Sequence, residues 1–240
     1  VSKFWAEHAA GLSLTLTIRQ FRLDGKTPIL DYDVDMQKLM HLVVVRDDFT
    51  TFVHLHPVFD TASGLFWQPF TKEPNHRYYV YADTTPHGIG QQVFRFTLES
   101  DGPVAAPRLI SSASARTAQT APYTVTLSRT NLPANRPKNL NVTVLEGGQP
   151  AQNLGLYLGA AAHAVFINTS TLGYVHVHPA LRVPHSMNAG DGMATGMSET
   201  AGPFMQMRVP ALSAGTYKLW IEFSDANGKP YTVSFTILAA

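Results

Sequence analysis

The sequence predicts an all-β protein of two tandem β-sandwich domains, immunoglobulin-like or cupredoxin-like, that arose by internal duplication. Three observations predict this class. Short runs rich in β-branched and aromatic residues alternate with clusters of Gly, Pro, Asn and Asp, and no segment has a long helical period. The length of 240 residues suits two domains of ordinary size. Residues 41–57 recur at 163–179, which is the mark of an internal repeat.

Two matched segments define the repeat. The first, HLVVVRDDFTTFVHLHP at 41–57, aligns without a gap to HAVFINTSTLGYVHVHP at 163–179, with six of 17 positions identical. The second, YYVYADTTPHGIGQQVFRFTL at 78–98, aligns to YKLWIEFSDANGKPYTVSFTI at 217–237. The spacing between the two segments is 17 residues longer in the second copy. That copy therefore contains a Met-rich insert, which we place at about residues 181–207.

Both copies contain runs with the composition of strands. In the first copy these runs are 12–18, 41–45, 51–56, 78–82 and 92–98. In the second copy they are 123–127, 140–144, 163–167, 174–178, 217–223 and 231–237. A stretch rich in Ser, Ala and Thr lies between the copies and has the composition of a linker. The predicted division is therefore a first repeat at 1–112, a linker at 113–122 and a second repeat at 123–240.

Composition excludes several classes of function. The formal net charge is +1, so no charged field favours nucleic acid as a partner. The chain has no cysteine, which excludes disulfides, thiolate metal sites and cysteine nucleophiles. No stretch approaches the roughly 18 apolar residues that cross a bilayer, so no membrane span is expected. The chain begins at Val1 without a leader, which we interpret as a mature form whose signal peptide has been removed.

Three histidines of the first copy are predicted to converge on one face of a hairpin. If the turn sets residue 46 opposite residue 51, His41 lies opposite His56 and His54 lies on the diagonal. Strand side chains alternate between faces, so all three imidazoles share a face, with opposite Cβ atoms about 5 Å apart. Such a trio can hold a transition-metal ion at roughly 2 Å.

The second copy repeats the trio with His163, His176 and His178. All three histidines are among the six identical positions, whereas the turn residues 46–48 were all replaced. Clustered imidazoles also repel one another when protonated unless a metal holds them. The predicted metal ligands are therefore His41, His54, His56, His163, His176 and His178, and no catalytic residue is predicted. The other histidines, His8, His76, His87 and His185, are interpreted as surface residues.

Imidazole ligands alone do not identify the metal, because copper, zinc, nickel and iron all accept them. The methionines favour copper, since thioether sulfur prefers Cu(I). Met36 and Met40, close before His41, could add a sulfur ligand in the first copy. Five of the seven methionines lie in or beside the insert: Met187, Met193, Met197, Met205 and Met207. The last two also fit ordinary strand positions, so the prediction is copper, as Cu(I) or Cu(II), with zinc as the alternative.

These motifs resemble those of a family of secreted bacterial two-repeat proteins. The segment KLMHLVVVRDDFTTFVHLHP at 38–57, and YLGA at 157–160 with His163 and YVHVHP at 174–179, are similar to motifs of heavy-metal- or copper-associated proteins with FixH/YtkA-like domains. The resemblance extends over about residues 12–237. It implies a periplasmic or secreted location and metal handling. Met36-Gln37 replaces the His-Glu of the family motif, so sulfur replaces nitrogen here if that histidine is a ligand.

The predicted function is extracytoplasmic copper carriage, buffering or delivery, with up to two ions per chain. A metal-donor or acceptor protein is an expected partner, and a homodimer is left open. One alternative is a metal-dependent enzyme of cupin-like or hydrolase type. HLHP resembles the HxH of cupins, but no Glu follows closely after His56, and a hydrolase would need a nearby acid or base, whereas Asp47 and Asp48 have no acidic counterpart in the second copy. The other alternative is a structural or adhesion module whose histidines are incidental or act as a pH switch.

Overall fold

The computed structural model describes residues 1–104, 115–182 and 200–240 of the chain. Every regular element in these ranges is a β-strand. The chain divides into two compact units, residues 1–109 and 110–240, and each unit is a sandwich of two sheets. The predicted fold of two tandem β-sandwich domains is thereby confirmed. No helix in the described ranges has the length and apolarity needed to cross a membrane.

The first unit contains two antiparallel sheets. Its described strands are β1 (Ser2–Ala10), β2 (Ser13–Gln20), β3 (Tyr32–Asp33), β4 (Met40–Arg46), β5 (Phe52–Leu55), β6 (Val58–Asp60), β7 (Leu65–Thr71), β8 (Tyr78–Pro86) and β9 (Gln92–Leu98). One sheet has the order β1-β2-β7-β6. The other has the order β9-β8-β4-β5, with β3 beside the end of β8. β4 and β5 form the hairpin that carries the first histidine trio.

The core of the first unit is filled by alternate residues of both sheets. Along β2, half-buried and buried side chains alternate without interruption, as expected for a strand with one face on a core. The buried cluster includes Leu14, Leu16, Ile18, Met40, Leu42, Val44, Phe66 and Val80. Burying each such aliphatic side chain stabilises the fold by about 1.5–3 kcal/mol. Because neighbouring residues of β4 point to opposite faces, His41 lies on the face away from this core.

The second unit repeats the plan with more strands. Its described strands are β10 (Thr117–Thr120), β11 (Tyr123–Leu127), β12 (Asn131–Leu132), β13 (Lys138–Glu146), β14 (Gln149–Pro150), β15 (Leu154–Gly155), β16 (His163–Asn168), β17 (Tyr174–Val177), β18 (Ala180–Leu181), β19 (Thr200–Ala201), β20 (Phe204–Val209), β21 (Gly215–Asp225) and β22 (Pro230–Ala239). One sheet has the order β10-β11-β13-β20-β18. The other contains β22-β21-β16-β17, which is the order β9-β8-β4-β5 of the first unit.

Two of the seven methionines belong to the hydrophobic core of the second unit. Met205 and Met207 on β20 are fully buried and pair with Val142 and Leu140 of β13. Both belong to the hydrophobic core cluster. They are therefore strand residues of the core, which is the simpler of the two interpretations that the sequence allowed.

Two long strands were not predicted from the sequence, β1 and β7. A Pro within a run of residues is unfavourable for a central strand, since Pro cannot donate to a ladder. In the structure, β6 pairs only with residues 65–67 of β7. Pro69 pairs on its other side with Thr15 of β2, so it lies beyond the part of β7 that has a strand on both sides.

The structure corrects the predicted linker but does not describe most of the predicted insert. Thr117–Thr120, placed in the linker by the sequence, forms β10 and pairs with β11 across a two-residue turn. The ordered second unit therefore begins before residue 123. The Met-rich part of the insert, with Met187, Met193 and Met197, lies outside the described residues.

Candidate metal centre

The hairpins that carry the histidines have the register that the turn predicts. In the first unit Val43 pairs with His54 and Leu42 pairs with Leu55. In the second unit Val165 pairs with His176. This register brings all three histidines of each hairpin to one face of the sheet.

The turn of the first hairpin is fixed by hydrogen bonds to Asp48. Arg46 donates to both carboxylate oxygens, at 2.9 Å from Nε and 2.8 Å from Nη2. The backbone N–H and the hydroxyl of Thr50 donate to Oδ1 at 3.1 and 2.9 Å. Although burial opposes it, these hydrogen bonds and the Arg46 charge lower the pKa of Asp48 to about 2. The carboxylate therefore stays ionised at neutral pH and holds the turn closed.

The second hairpin uses an amide for the same purpose. The Oδ1 atom of Asn168 accepts the backbone N–H groups of Ser170 and Thr171, both at 2.9 Å. Asn168 is 1% exposed. The two units therefore fix equivalent turns with different side chains, which explains why the turn sequence could change while the histidines did not.

The first histidine trio is compact. Nδ1 of His41 lies 3.0 Å from Nε2 of His54. The ring of His56 is centred 4.7 Å from that of His54 and 5.2 Å from that of His41. His41 is 1% exposed and His54 is 8% exposed, so the closest pair of ring nitrogens is shielded from water.

The second trio has nearly the same geometry. Nδ1 of His163 lies 3.1 Å from Nε2 of His176. The ring of His178 is centred 4.6 Å from each of the other two. The same nitrogen of each ring is used in both units, although most of the surrounding residues differ.

A backbone carbonyl sets the tautomer of the first histidine in each trio. Nε2 of His41 lies 3.1 Å from the carbonyl oxygen of Asp35, and Nε2 of His163 lies 3.2 Å from that of Tyr157. Because a carbonyl oxygen only accepts, each Nε2 carries the proton. Each Nδ1 then directs its lone pair towards the neighbouring histidine. Metal-binding histidines are usually oriented in this way by a hydrogen bond from the other ring nitrogen.

The carbonyls belong to matching tight turns. Asp35 and Lys38 exchange two backbone hydrogen bonds, both 2.9 Å long. Tyr157 and Ala160 do the same at 2.8 and 3.1 Å. The two central residues of each turn have positive φ: 42° and 66° at Met36 and Gln37, and 51° and 81° at the equivalent positions 158 and 159. The same unusual backbone geometry therefore occurs in both copies.

The spacing of the ring nitrogens fits a common metal ligand set. Two nitrogen ligands, each about 2.0–2.1 Å from an ion, lie about 3 Å apart when they subtend an angle near 90°. The observed separations are 3.0 and 3.1 Å. In each unit, ring nitrogens of the first two histidines, His41 with His54 and His163 with His176, are thus within metal-binding distance of one another.

Two of the histidines assigned to the surface pair with carboxylates. Nδ1 of His76 lies 2.9 Å from Asp47, and Nδ1 of His87 lies 2.7 Å from Asp33. The hydrogen bond that His87 donates to Asp33, and the negative charge of that carboxylate, raise the pKa of His87. The side chain of His8 and the whole of His185 lie outside the described part of the structure.

The two methionines that could add sulfur to the first trio differ in position. Met40 is 1% exposed and belongs to the sandwich core, on the face of β4 opposite to His41. The alternation of strand side chains therefore excludes it as a ligand. Met36 is half-buried in the turn before the strand.

Sequence reasoning did not find the two carbonyl acceptors. The side chains do not reveal these acceptors, because the equivalent positions hold different residue types, Asp35 and Tyr157. The available signal was Gly159, whose freedom at positive φ marks a tight turn four residues before His163.

Comparison with known proteins identifies a family. A family model described as a domain of unknown function (DUF8832) matches residues 5–102 and 117–240. No curated protein matches the chain.

Several solved structures are similar over most of the chain. A GH family 64 β-1,3-glucanase from Paenibacillus barengoltzii is 11% identical, with 94% of this chain and 47% of that chain covered, at a TM-score of 0.30. This chain thus spans about half the length of the glucanase. Domains 4 and 5 of the S-layer protein SbsC are 11% identical, with coverages of 95% and 82% and a TM-score of 0.27. Two fibronectin type III domains of chicken tenascin are 8% identical, with coverages of 99% and 98% and a TM-score of 0.26. Such low scores support no functional conclusion for this chain.

Proposed function

Because the chain belongs to the DUF8832 family, whose name assigns no function, we propose one from the histidine sites: the protein binds copper and carries, buffers or delivers it outside the cytoplasm. One observation supports this above all others. In both units a buried Nδ1 of defined tautomer lies 3.0–3.1 Å from an Nε2 of the next histidine. A third imidazole completes each trio.

The methionines of the sequence favour copper over zinc, since thioether sulfur prefers Cu(I). Met36 is half-buried in the turn before β4, and Met187, Met193 and Met197 belong to the insert. His41, His54 and His56 would hold the ion in the first unit, and His163, His176 and His178 in the second. A bound ion would supply a Cu(II)/Cu(I) couple, while the carbonyls of Asp35 and Tyr157 orient the rings.

The cellular part of the proposal has a separate basis. The extracytoplasmic location and a metal-donor or acceptor protein follow from the resemblance to secreted heavy-metal-associated proteins.

Metal titration tests the proposal. Metal-free protein titrated with Cu(II), or with Cu(I) under reducing conditions, should show saturable binding of up to two ions per chain. His54→Ala with His56→Ala should abolish binding in the first unit, and His176→Ala with His178→Ala should abolish it in the second. Elemental analysis after desalting gives the stoichiometry, and competition with Zn(II) identifies the preferred metal.

A matched control is available in the first unit. His76→Ala with His87→Ala also removes two imidazoles, but both lie outside the trios and pair with carboxylates. This variant should keep the stoichiometry of the wild type. Copper binding that is unchanged in both trio variants, or equally reduced in the control, would contradict the proposal.

A further inference from the structure

A buried acidic residue lies across the sheet from the first histidine of each trio. Asp83 on β8 pairs with His41, and Glu222 on β21 pairs with His163. Directly opposite residues of antiparallel strands share a face, with Cβ atoms about 5 Å apart. Asp83 is 3% exposed and Glu222 is 7% exposed. Each trio therefore has one carboxylate beside it on the same face of the sheet.

Neighbouring side chains hold both carboxylates in place. Nε2 of Gln91 donates to the two oxygens of Asp83 at 2.9 and 3.1 Å. The hydroxyl of Thr232, directly opposite on β22, donates to Glu222 at 3.4 Å. Glu222 pairs directly with His163, and the ring of Tyr157 packs on that of His163 at 5.4 Å. The Glu222 carboxylate therefore lies in the immediate surroundings of the second trio.

The acidic character is kept where most of the sequence has changed. Between residues 78–98 and 217–237 only three positions are identical, Tyr78, Phe96 and Thr97 with their counterparts. The position opposite the histidine is nevertheless Asp in one copy and Glu in the other. A metal ion held by neutral imidazoles would be attracted by a carboxylate at this position.

We propose that Asp83 and Glu222 determine the charge of the ion, making the sites selective for divalent over monovalent metals. The inference rests on the proposed function and deepens it. Coulombic attraction by one carboxylate is twice as strong for an ion of charge +2 as for an ion of charge +1 at the same position. Each carboxylate also lowers the net charge that the ion brings into a buried site.

Isosteric variants test this selectivity. Asp83→Asn with Glu222→Gln should weaken Cu(II) and Zn(II) binding by about 10- to 100-fold, the usual effect of removing a neighbour of metal ligands. Binding of Ag(I), a redox-inert monovalent probe, should weaken only by roughly the square root of that factor. Asp83→Glu with Glu222→Asp exchanges the two side chains, keeps the charge, and should retain the preference for divalent ions.

Asp33→Asn with Glu99→Gln is the matched control, because it removes one Asp and one Glu charge at exposed positions. It should leave both affinities unchanged. Equal weakening of divalent and monovalent binding in the Asn/Gln variant, or no weakening, would overturn the selectivity role while leaving the histidine sites intact. A wild-type chain that binds no metal would instead overturn the proposed function and this inference together. If the double variant does not fold, the two single variants give the same comparison.

Discussion

Gln37 has a left-handed backbone conformation, with φ of 66°, that residues with a Cβ rarely adopt. Its counterpart in the second unit is Gly159, with φ of 81°. Strained backbone persists where surrounding structure over-determines it, often at functional sites. Here the strained turn places the Asp35 carbonyl 3.1 Å from Nε2 of His41. The strained residue therefore belongs to the turn that orients a candidate metal ligand.

Gln37→Gly should therefore stabilise the first unit. Relief of the left-handed strain outweighs the entropy that Gly adds to the unfolded chain, and we expect a gain of about 0.5–1 kcal/mol. The reverse change, Gly159→Gln, should destabilise the second unit by a similar amount. Urea denaturation with an unchanged m value measures both effects. A loss of stability in Gln37→Gly would show that the Gln side chain, and not the backbone, determines this turn.

The six histidines could be selected from the sequence because they are invariant between copies that otherwise diverged. The carbonyls of Asp35 and Tyr157 could not, since a backbone acceptor leaves no trace in residue identity. Met40 was wrong as a candidate ligand, because its place next to His41 on one strand puts it on the opposite face.

The hairpin of β4 and β5 places the trio, and its turn depends on one ionised side chain. Asp48 accepts hydrogen bonds from Arg46 and Thr50, and its pKa is about 2 against an ordinary value of 3.8. A carboxylate whose pKa is lower in the folded state stabilises the fold above the unfolded pKa. That contribution is lost as the pH falls towards the folded pKa.

Asp48→Asn should consequently destabilise the first unit in a pH-dependent manner. Above about pH 4 the loss should be on the order of 1–2 kcal/mol, and it should diminish between about pH 4 and pH 2 as the wild-type carboxylate becomes protonated. Denaturant titrations at several pH values measure the difference. Asp31→Asn, an exposed position, controls for the change of net charge. A difference that stays constant down to pH 2 would contradict the role of the ionised carboxylate.

At this scale the sequence was a good guide to local pairing. The register follows from a short turn between two strands whose side chains alternate between faces. Only one pairing of the strands agrees with both the turn length and this alternation. β1 and β7 were missed for a different reason. Both strands lie in the other sheet of the sandwich. There, packing between the sheets and pairing with neighbouring strands outweigh a weak strand propensity of the sequence, as at Pro69.

The whole molecule consists of two units, each with its own hydrophobic core. Both units carry the same four-strand order, the same trio, the same left-handed turn and a carboxylate opposite the first histidine. Because both units share these features, we infer that the ancestral domain had them before duplication. Later divergence changed the turns of the hairpins and the insert.

Metal binding should raise the thermal stability of the whole chain, because an ion that binds only the folded state shifts the equilibrium by mass action. At free metal of 100 times the dissociation constant the gain is about 2.7 kcal/mol per site, or roughly 5–10 °C in Tm. The variant with His54, His56, His176 and His178 all replaced by Ala should show no shift. Calorimetric scans with and without Cu(II) or Zn(II) measure the effect. An equal shift in that variant would place the metal elsewhere.

The main-chain acceptor that orients each first histidine has a practical consequence. Alanine scanning removes side chains, so Asp35→Ala would leave the acceptor of His41 in place, and Tyr157→Ala would remove the ring that packs on His163 but not the carbonyl that orients it. Engineers who wish to retune these sites must alter peptide geometry instead, for example by inserting or deleting a turn residue. Replacing the side chains of residues 35 and 157 leaves the orienting carbonyls themselves in place.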